Sequence, residues 1–324
     1  MALIGPKPGN EPAHRQARGR LISCRRWPVL GAVLLAAVTL TGCVGNEKAS
    51  LADDLQAVVV SSDLAVGQNR FIVGLVTAQN QVLTDAQVHL AFFAQGNDTV
   101  PLTEADAVFR STEVEFTHTH ESGEQHLHEE VTGVYVADVT FDQTHAVYAR
   151  VTGTLSDGES FSTRTANFPV QPQSQTPAVG SLGPRSENPT TANVSDIALI
   201  DSSDPPRPEM HALSIAQAID TGKPVVVAFA TPAFCQSRIC GPTMEAMDEL
   251  YSIYGESVAF VHVEPYDLAA LRQQGQFQLA PAAQEWHLPS EPWAFVLDRQ
   301  GRVAAKFEGI VMVEDVQAAL AALG

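Results

Sequence analysis

The chain has 324 residues, 45% of them apolar, with 19 lysines and arginines against 37 aspartates and glutamates. That length is a prior for about two domains, and the apolar content is too high for a disordered chain. A formal charge of −18 leaves no basic surface to neutralise a phosphate backbone, which excludes nucleic acid as a partner. The longest apolar run, Trp27 to Thr41, is about 15 residues, short of the roughly 20 that a membrane-spanning helix needs. Arg15, Arg18, Arg20, Arg25 and Arg26 precede it and it closes on Leu40-Thr41-Gly42-Cys43, so residues 1–42 read as a signal peptide with a cleavage site.

Small residues placed just before Cys43 resemble the bacterial lipobox. The resemblance implies cleavage before Cys43, a diacylglyceryl group on its sulfur, and an extracytoplasmic protein held to a bacterial membrane by lipid. Several acyl chains, at about 0.8 kcal/mol per buried CH₂, make a lasting anchor where one would not. Residues 43–54 then form a membrane-proximal tether. Residues 1–42 hold six basic side chains and one acidic one, so the chain from Cys43 onward is more acidic still. Anionic lipid repels such a surface, leaving the acyl anchor as the only attachment.

Residues 55–170 read as short strands rich in Val, Thr, Phe and Tyr with turn signals between them. The expected strands are Gln56 to Ser61, Arg70 to Thr77, Gln87 to Ala94, Glu113 to Thr119, Val134 to Phe141, Ala146 to Leu155 and Phe161 to Val170. Near-alternation of apolar and polar residues from Val134 to Phe141 is the period of a half-buried strand. Strands without a convincing helix predict an antiparallel β-sandwich of immunoglobulin-like type. Ser62-Asp63-Leu64, Asn69-Arg70-Phe71 and Gly133-Val134-Tyr135 resemble the YtkA-like sandwiches of bacterial lipoproteins.

Within this region lie Thr117-His118-Thr119-His120-Glu121 and His126-Leu127-His128-Glu129-Glu130, two His-x-His pairs flanking Ser122-Gly123. Paired as a hairpin, His118, His120, His126 and His128 would put imidazoles on one face, a geometry suited to Cu(II) or Zn(II). The plainer reading is a solvated polar hairpin tip. His89, His145, His262 and His287 read as structural.

Residues 171–195 carry Pro172, Pro177, Pro184 and Pro189 among Gln, Ser, Thr, Asn and Gly. Without apolar periodicity they predict a flexible linker. From residue 196 to 324 strand and helix alternate. Leu213 to Asp220 reads as a helix, Pro224 to Ala230 as a buried strand, Thr243 to Tyr254 as an amphipathic helix and Val258 to Val263 as a strand. A mixed segment to Leu288 follows, then a hairpin from Trp293 to Phe307 turning at Arg299-Gln300-Gly301, and a helix from Val313 to Leu323. This order predicts an α/β domain.

Cys235 and Cys240 fall between the buried strand and the following helix, where unpaired amide N–H groups and the helix dipole favour a thiolate. The run Phe229 to Pro242, with Cys235-Gln236-Ser237-Arg238-Ile239-Cys240 at its centre, resembles the active-site segment of the thioredoxin superfamily over residues 207–324. Glu291-Pro292-Trp293-Ala294-Phe295-Val296 resembles that family's cis-proline loop, which implies a cis Pro292 that seats an extended partner. Four residues separate the cysteines where thioredoxins have two, Phe234 replaces the family's Trp, and Ala228 its buried Asp. Glu291 beside the sulfurs would raise their pKa.

The resemblance implies a thiol–disulfide oxidoreductase acting on exported thiol- or disulfide-bearing proteins through Cys235 and Cys240, with no cofactor required. Which cysteine attacks is left open by the longer loop. The spacing after Thr231-Pro232 is also similar to the atypical two-cysteine peroxiredoxins, in which the first sulfur is oxidised by peroxide and the second resolves it. Pro232 stands where that family has Thr. The remaining readings are a structural staple closing a short loop, worth about 2 kcal/mol, and a non-catalytic lipoprotein binding metal or a partner.

Overall fold

The computed structural model describes residues 54–79, 81–119, 125–235 and 239–324, with only the backbone described over 112–131. The expected signal peptide, Cys43 and all of the expected tether but Asp54 lie outside the described residues. The described residues belong to one compact unit. It is β-rich, and no described helix is long and apolar enough to cross a membrane.

The first half is antiparallel throughout. Its strands are β1 (Gln56–Val59), β2 (Gly67–Val76), β3 (Ala86–Ala94), β4 (Thr103–Thr119), β5 (Gln125–Phe141), β6 (Ala146–Leu155), β7 (Ser160–Arg164) and β8 (Phe168–Pro169). They run in the order β1-β2-β5-β4-β3-β6-β7, with β8 also on β6. Alternation along β2, β3, β5 and β6 sends Phe71, Val73, Leu90, Phe92, Tyr135 and Val151 into one core.

Two expectations need correction here. The two separate leaves of an immunoglobulin-like sandwich are replaced by one continuous, nearly closed sheet. The cause is β4, longer than its sequence suggested. Residues 103–107 pair with β3 and residues 108–119 with β5, so the strand passes from one side of the core to the other. Its ends approach where Thr163 Oγ1 donates to the Leu55 carbonyl at 3.1 Å. Gly153 permits the closest packing, since a Cβ there would meet the Gln87 carbonyl oxygen at 2.3 Å.

The second correction concerns residues 171–195, which are docked rather than flexible. Asp63 receives Gln175 N–H at 2.8 Å and Thr176 N–H at 3.1 Å. Further along, Gly180 N–H donates to Val303 O and Gly183 N–H to Gly301 O, at 2.7 and 2.9 Å. The polar side chains that read as solvated linker, Thr176, Ser186, Asn188 and Thr190, are buried. Their hydrogen bonds go to protein instead of water.

The second half is built on a mixed sheet of β9 (Val225–Phe229), β10 (Ala259–Val263), β11 (Trp293–Leu297) and β12 (Val303–Glu308), in the order β10-β9-β11-β12. Its helices are α1 (Ile215–Asp220), α2 (Cys240–Tyr254), α3 (Leu268–Gln274), α4 (Pro281–Glu285) and α5 (Val313–Ala321). Strand β9 is buried at every residue, as its run of apolar side chains requires of a strand covered on both faces. Ser214 caps α1 through a reciprocal pair of bonds with Gln217, and Asp267 caps α3.

Charged contacts join the halves. Arg70 and Arg110 meet Asp315 at 2.7 and 3.3 Å. Lys306 Nζ lies 3.0 Å from Asp63 Oδ2, 2.7 Å from Ser174 Oγ and 2.8 Å from Thr176 Oγ1. Burial alone would raise the pKa of Asp63. Hydrogen bonds from Ser174, Thr176 and Gln175 and the Lys306 ammonium outweigh it and hold the carboxyl at about 2. The lowered value means stability that is complete above the unfolded carboxyl's pKa of about 4 and is lost as pH falls toward 2. Asp63→Asn is expected to cost about 2–4 kcal/mol, because it leaves the Lys306 ammonium without its counter-charge. Urea melts of the two proteins at pH 7 and pH 3 check this, the gap between them narrowing at the lower pH.

Candidate functional site

Three backbone registers bring the site together. Strand β9 ends at Phe229 and the chain leaves through Ala230 and Thr231 into a short 3-10 turn, Pro232–Phe234. Strand β11 runs antiparallel beside β9 with Trp293 opposite Phe229, so Pro292 and Glu291 fall level with the departing chain. Strand β10 runs parallel on the other side with His262 opposite Ala228.

Cys235 follows the 3-10 turn and is half-buried, whereas Cys240 opens α2 and is fully buried against Ala230, Met244 and Ala294. Both are thiols, not a disulfide. The Cys240 N–H donates to Cys235 Sγ at 3.2 Å, one of the first-turn amides of α2 that have no partner within the helix. Cys240 Sγ donates to Glu291 Oε2 at 2.7 Å, and Cys235 Sγ lies 3.5 Å from the same oxygen. The peptide between Glu291 and Pro292 is cis. Burial pushes the Cys240 thiol far above its ordinary range, and its bond to Cys235 and the Glu291 carboxylate push the same way. Tyr266 closes one side. Burial raises its pKa, and the charges of Glu291, Cys240 and Cys235 add to the rise. Phe277, packed edge-on to Tyr266 with ring centroids 5.1 Å apart, remains exposed.

Cys235, Cys240 and Pro292, chosen from sequence, are thus together, and Glu291 joins them as the acceptor for both sulfurs. The histidine hairpin is a separate matter. Its backbone register sets His118 opposite His126 and His128 opposite Phe116, while His120 and the imidazoles of the other three lie outside the described residues.

A second cluster lies behind the cysteine loop. His262 is not a lone strand histidine. Its Nδ1 is 3.1 Å from His211 Nε2, and its Nε2 is 3.0 Å from the Ala230 carbonyl. Asp201 Oδ2 lies 3.3 Å from His211 Nε2. Burial, then the neighbouring His211, hold the pKa of His262 at about 4. Burial raises the carboxyl of nearby Glu264 to about 7. His211 and Asp201 carry no sequence motif. The one available signal was His262 inside the apolar run Phe260-Val261-His262-Val263, because a buried imidazole requires a polar partner.

No protein-family model and no curated protein matches the chain. Among solved structures, one match is the crystal structure of a DUF4466 family protein from Parabacteroides merdae. It shares 11% identity at a TM-score of 0.16 over 37% of this chain, and the chain spans about 45% of that protein.

The two sulfurs are expected to react unequally. With reduced protein at pH 8, iodoacetamide should modify Cys235 at least about 10-fold faster than Cys240, whose sulfur is buried and held as a thiol. Peptide mass mapping over time checks the order. Equal rates would mean that the burial of Cys240 is not what sets its chemistry.

Proposed function

We propose that the chain is a thiol–disulfide oxidoreductase whose second half is a thioredoxin-like domain, held outside the cytoplasm by lipid on Cys43 and acting on exported proteins. The observation that carries this reading is the pair of sulfurs at the start of α2, one half-buried and receiving a helix N–H, the other buried and bonded to a carboxylate.

Those environments divide the labour. Cys235 is the sulfur a partner can reach, and the Cys240 N–H supports negative charge on it. Its thiolate attacks one sulfur of a partner disulfide, the S–S bond breaks, and the departing partner sulfur takes a proton. Cys240 then gives its proton to Glu291 and attacks Cys235. The mixed disulfide breaks, the second partner thiol leaves, and a Cys235–Cys240 disulfide remains. Two electrons have passed from the protein to the partner, and the reverse sequence oxidises a partner dithiol. Glu291 is the general base for the second step, within reach of the proton it removes.

The Cys240–Glu291 bond exists only in the dithiol form, so it stabilises that form against the disulfide. Charge-assisted bonds are about twice as strong as neutral ones. At about 1.4 kcal/mol per 30 mV, losing the charge should make the couple more reducing by about 20–30 mV.

Three variants test the proposal. Cys240→Ser should accumulate a mixed disulfide with a disulfide-bridged model peptide, seen by mass on non-reducing gels, and Cys235→Ser should form none. Glu291→Gln should slow release of the peptide dithiol by about 100-fold and lower the potential measured in glutathione buffers. A wild-type protein that leaves the peptide disulfide intact while consuming hydrogen peroxide with a dithiol donor would replace this reading with the peroxidase one.

A further inference from the structure

Three side chains that the thiol chemistry does not use meet behind the cysteine loop. Asp201, His211 and His262 are each no more than 1% exposed. One ligand atom from each lies within 4.8 Å of the other two. The separations are 3.1 Å between His211 Nε2 and His262 Nδ1, 3.3 Å from His211 Nε2 to Asp201 Oδ2, and 3.7 Å from His262 Nδ1 to Asp201 Oδ1. Ligand atoms about 2.0–2.2 Å from a tetrahedral zinc ion stand about 3.3–3.6 Å apart. The three side chains already stand close to one face of such a tetrahedron.

Their surroundings orient them for the same task. The Ala230 carbonyl can only accept, so His262 Nε2 carries the hydrogen and Nδ1 turns its lone pair toward His211. Asp201 is fixed by N–H donation from Ser203 at 2.8 Å and from Arg207 at 2.7 Å. Bonds of this kind from imidazole N–H and to carboxylate oxygen are what hold metal ligands in place.

Glu264 supplies an independent observation. It is 6% exposed, and its Oε1 accepts the Ser202 N–H at 2.7 Å. Its Oε2 is buried with no partner at hydrogen-bond geometry, the Thr231 hydroxyl lying near enough to favour its charged form. An orphaned buried carboxylate oxygen is costly unless a cation or donor meets it. Glu264 lines a cavity of about 400 Å³ together with His211 and His262, which gives an ion a way in.

The geometry points to a site for one divalent transition ion of the zinc class, held by His211 Nε2, His262 Nδ1 and an Asp201 oxygen, with water completing the shell and Glu264 outside it. Two imidazoles with a carboxylate suit Zn(II) better than the soft Cu(I) or the hard Mg(II) and Ca(II). On binding, the hydrogen of His211 Nε2 moves to Nδ1 as the ring changes tautomer. No electron changes hands, and the site does not depend on the thiol reading.

The test is competition for Zn(II) against a chromophoric chelator, using the full chain, combined with X-ray absorption at the zinc edge. A Cys235→Ser/Cys240→Ser variant should bind one zinc, with nitrogen and oxygen scattering that includes two imidazoles. His262→Gln and, separately, His211→Gln should weaken that binding by at least about 100-fold, the upper end of what loss of even an outer-shell partner costs. Replacing His118, His120, His126 and His128 together with Ala should leave it unchanged. The proposal is overturned if the double-serine variant binds no zinc, if both Gln variants bind as the parent does, or if the hairpin variant loses the ion. Should a Gln variant fail to fold, imidazole scattering in the hairpin variant of the double-serine chain decides the matter.

Discussion

The complete burial of β9 between β10 and β11 is the constraint from which both clusters follow. Five apolar residues with neighbours on each edge leave no freedom of register, since a slip of one residue would reverse every side chain. Fixed in this way, the strand delivers Ala230 and Thr231 to one place at one end of the sheet. The cysteine segment starts there. Pro292 and Glu291 arrive from β11, and His262 from β10 clasps the Ala230 carbonyl. Thiols and imidazoles are neighbours because one backbone turn serves both, and what stiffens Ala230 from behind also sets the root of the cysteine segment.

The first half of the molecule takes part in that end of the sheet. Ser62 donates its N–H to both oxygens of Glu308 at 3.0 and 3.1 Å, and its hydroxyl meets Ser290 Oγ at 3.1 Å. Ser290 in turn accepts from the Trp293 indole at 3.0 Å and donates to Glu308 at 2.8 Å. Ser290 is the residue before Glu291, so the segment that presents the carboxylate to the sulfurs is held partly by the β-rich half. For so acidic a chain, burying Asp63 and Glu308 and partly burying Asp315 where the halves meet demands compensation. Lys306, Arg70 and Arg110 provide cations for two of these three, and backbone and hydroxyl donors serve Glu308. Burial raises the Glu308 carboxyl despite them.

Local chemistry was the legible part of the sequence. The Val225–Phe229 run, the cysteine pair beside it and the Glu-Pro step before Trp293 each announce themselves within a dozen residues, and the structure assembles them through strand pairing alone. The antiparallel character of the first half was equally plain from alternation. Less visible was everything that depends on distant partners. Thr103 to Thr112 alternates less cleanly than Val134 to Phe141, so β4 reads short and its passage across the core is hidden. Residues 171–195 have the composition of a linker, yet their amides and hydroxyls find Asp63, Lys306 and the edge of β12 more than a hundred residues away in sequence. Asp201 sits in irregular chain and His211 ends a single 3-10 turn, with no periodicity to mark either, and only the buried His262 hinted that a partner was needed.

On the proposed thiol–disulfide reading, the carboxylate at the sulfurs decides what sort of exchanger the geometry can be. In a site designed to release a strongly reducing thiolate, an anion 2.7 Å from the buried sulfur would be a handicap, since it opposes a second negative charge. Here the charge lies closer to the inner sulfur than to the outer one, 2.7 against 3.5 Å, and the helix N–H offsets it at the outer one. In the proposed exchange the outer sulfur would attack and the inner one would stay protonated until the carboxylate takes its proton. On the proposed reading, that order would make the first exchange fast and reversible and place control at the second step. It also ties control to Glu291, whose position depends on Ser290 and, through it, on the β-rich half. An isolated α/β half would keep the sulfurs but lose the Ser62 contact that helps to hold the segment carrying their carboxylate acceptor.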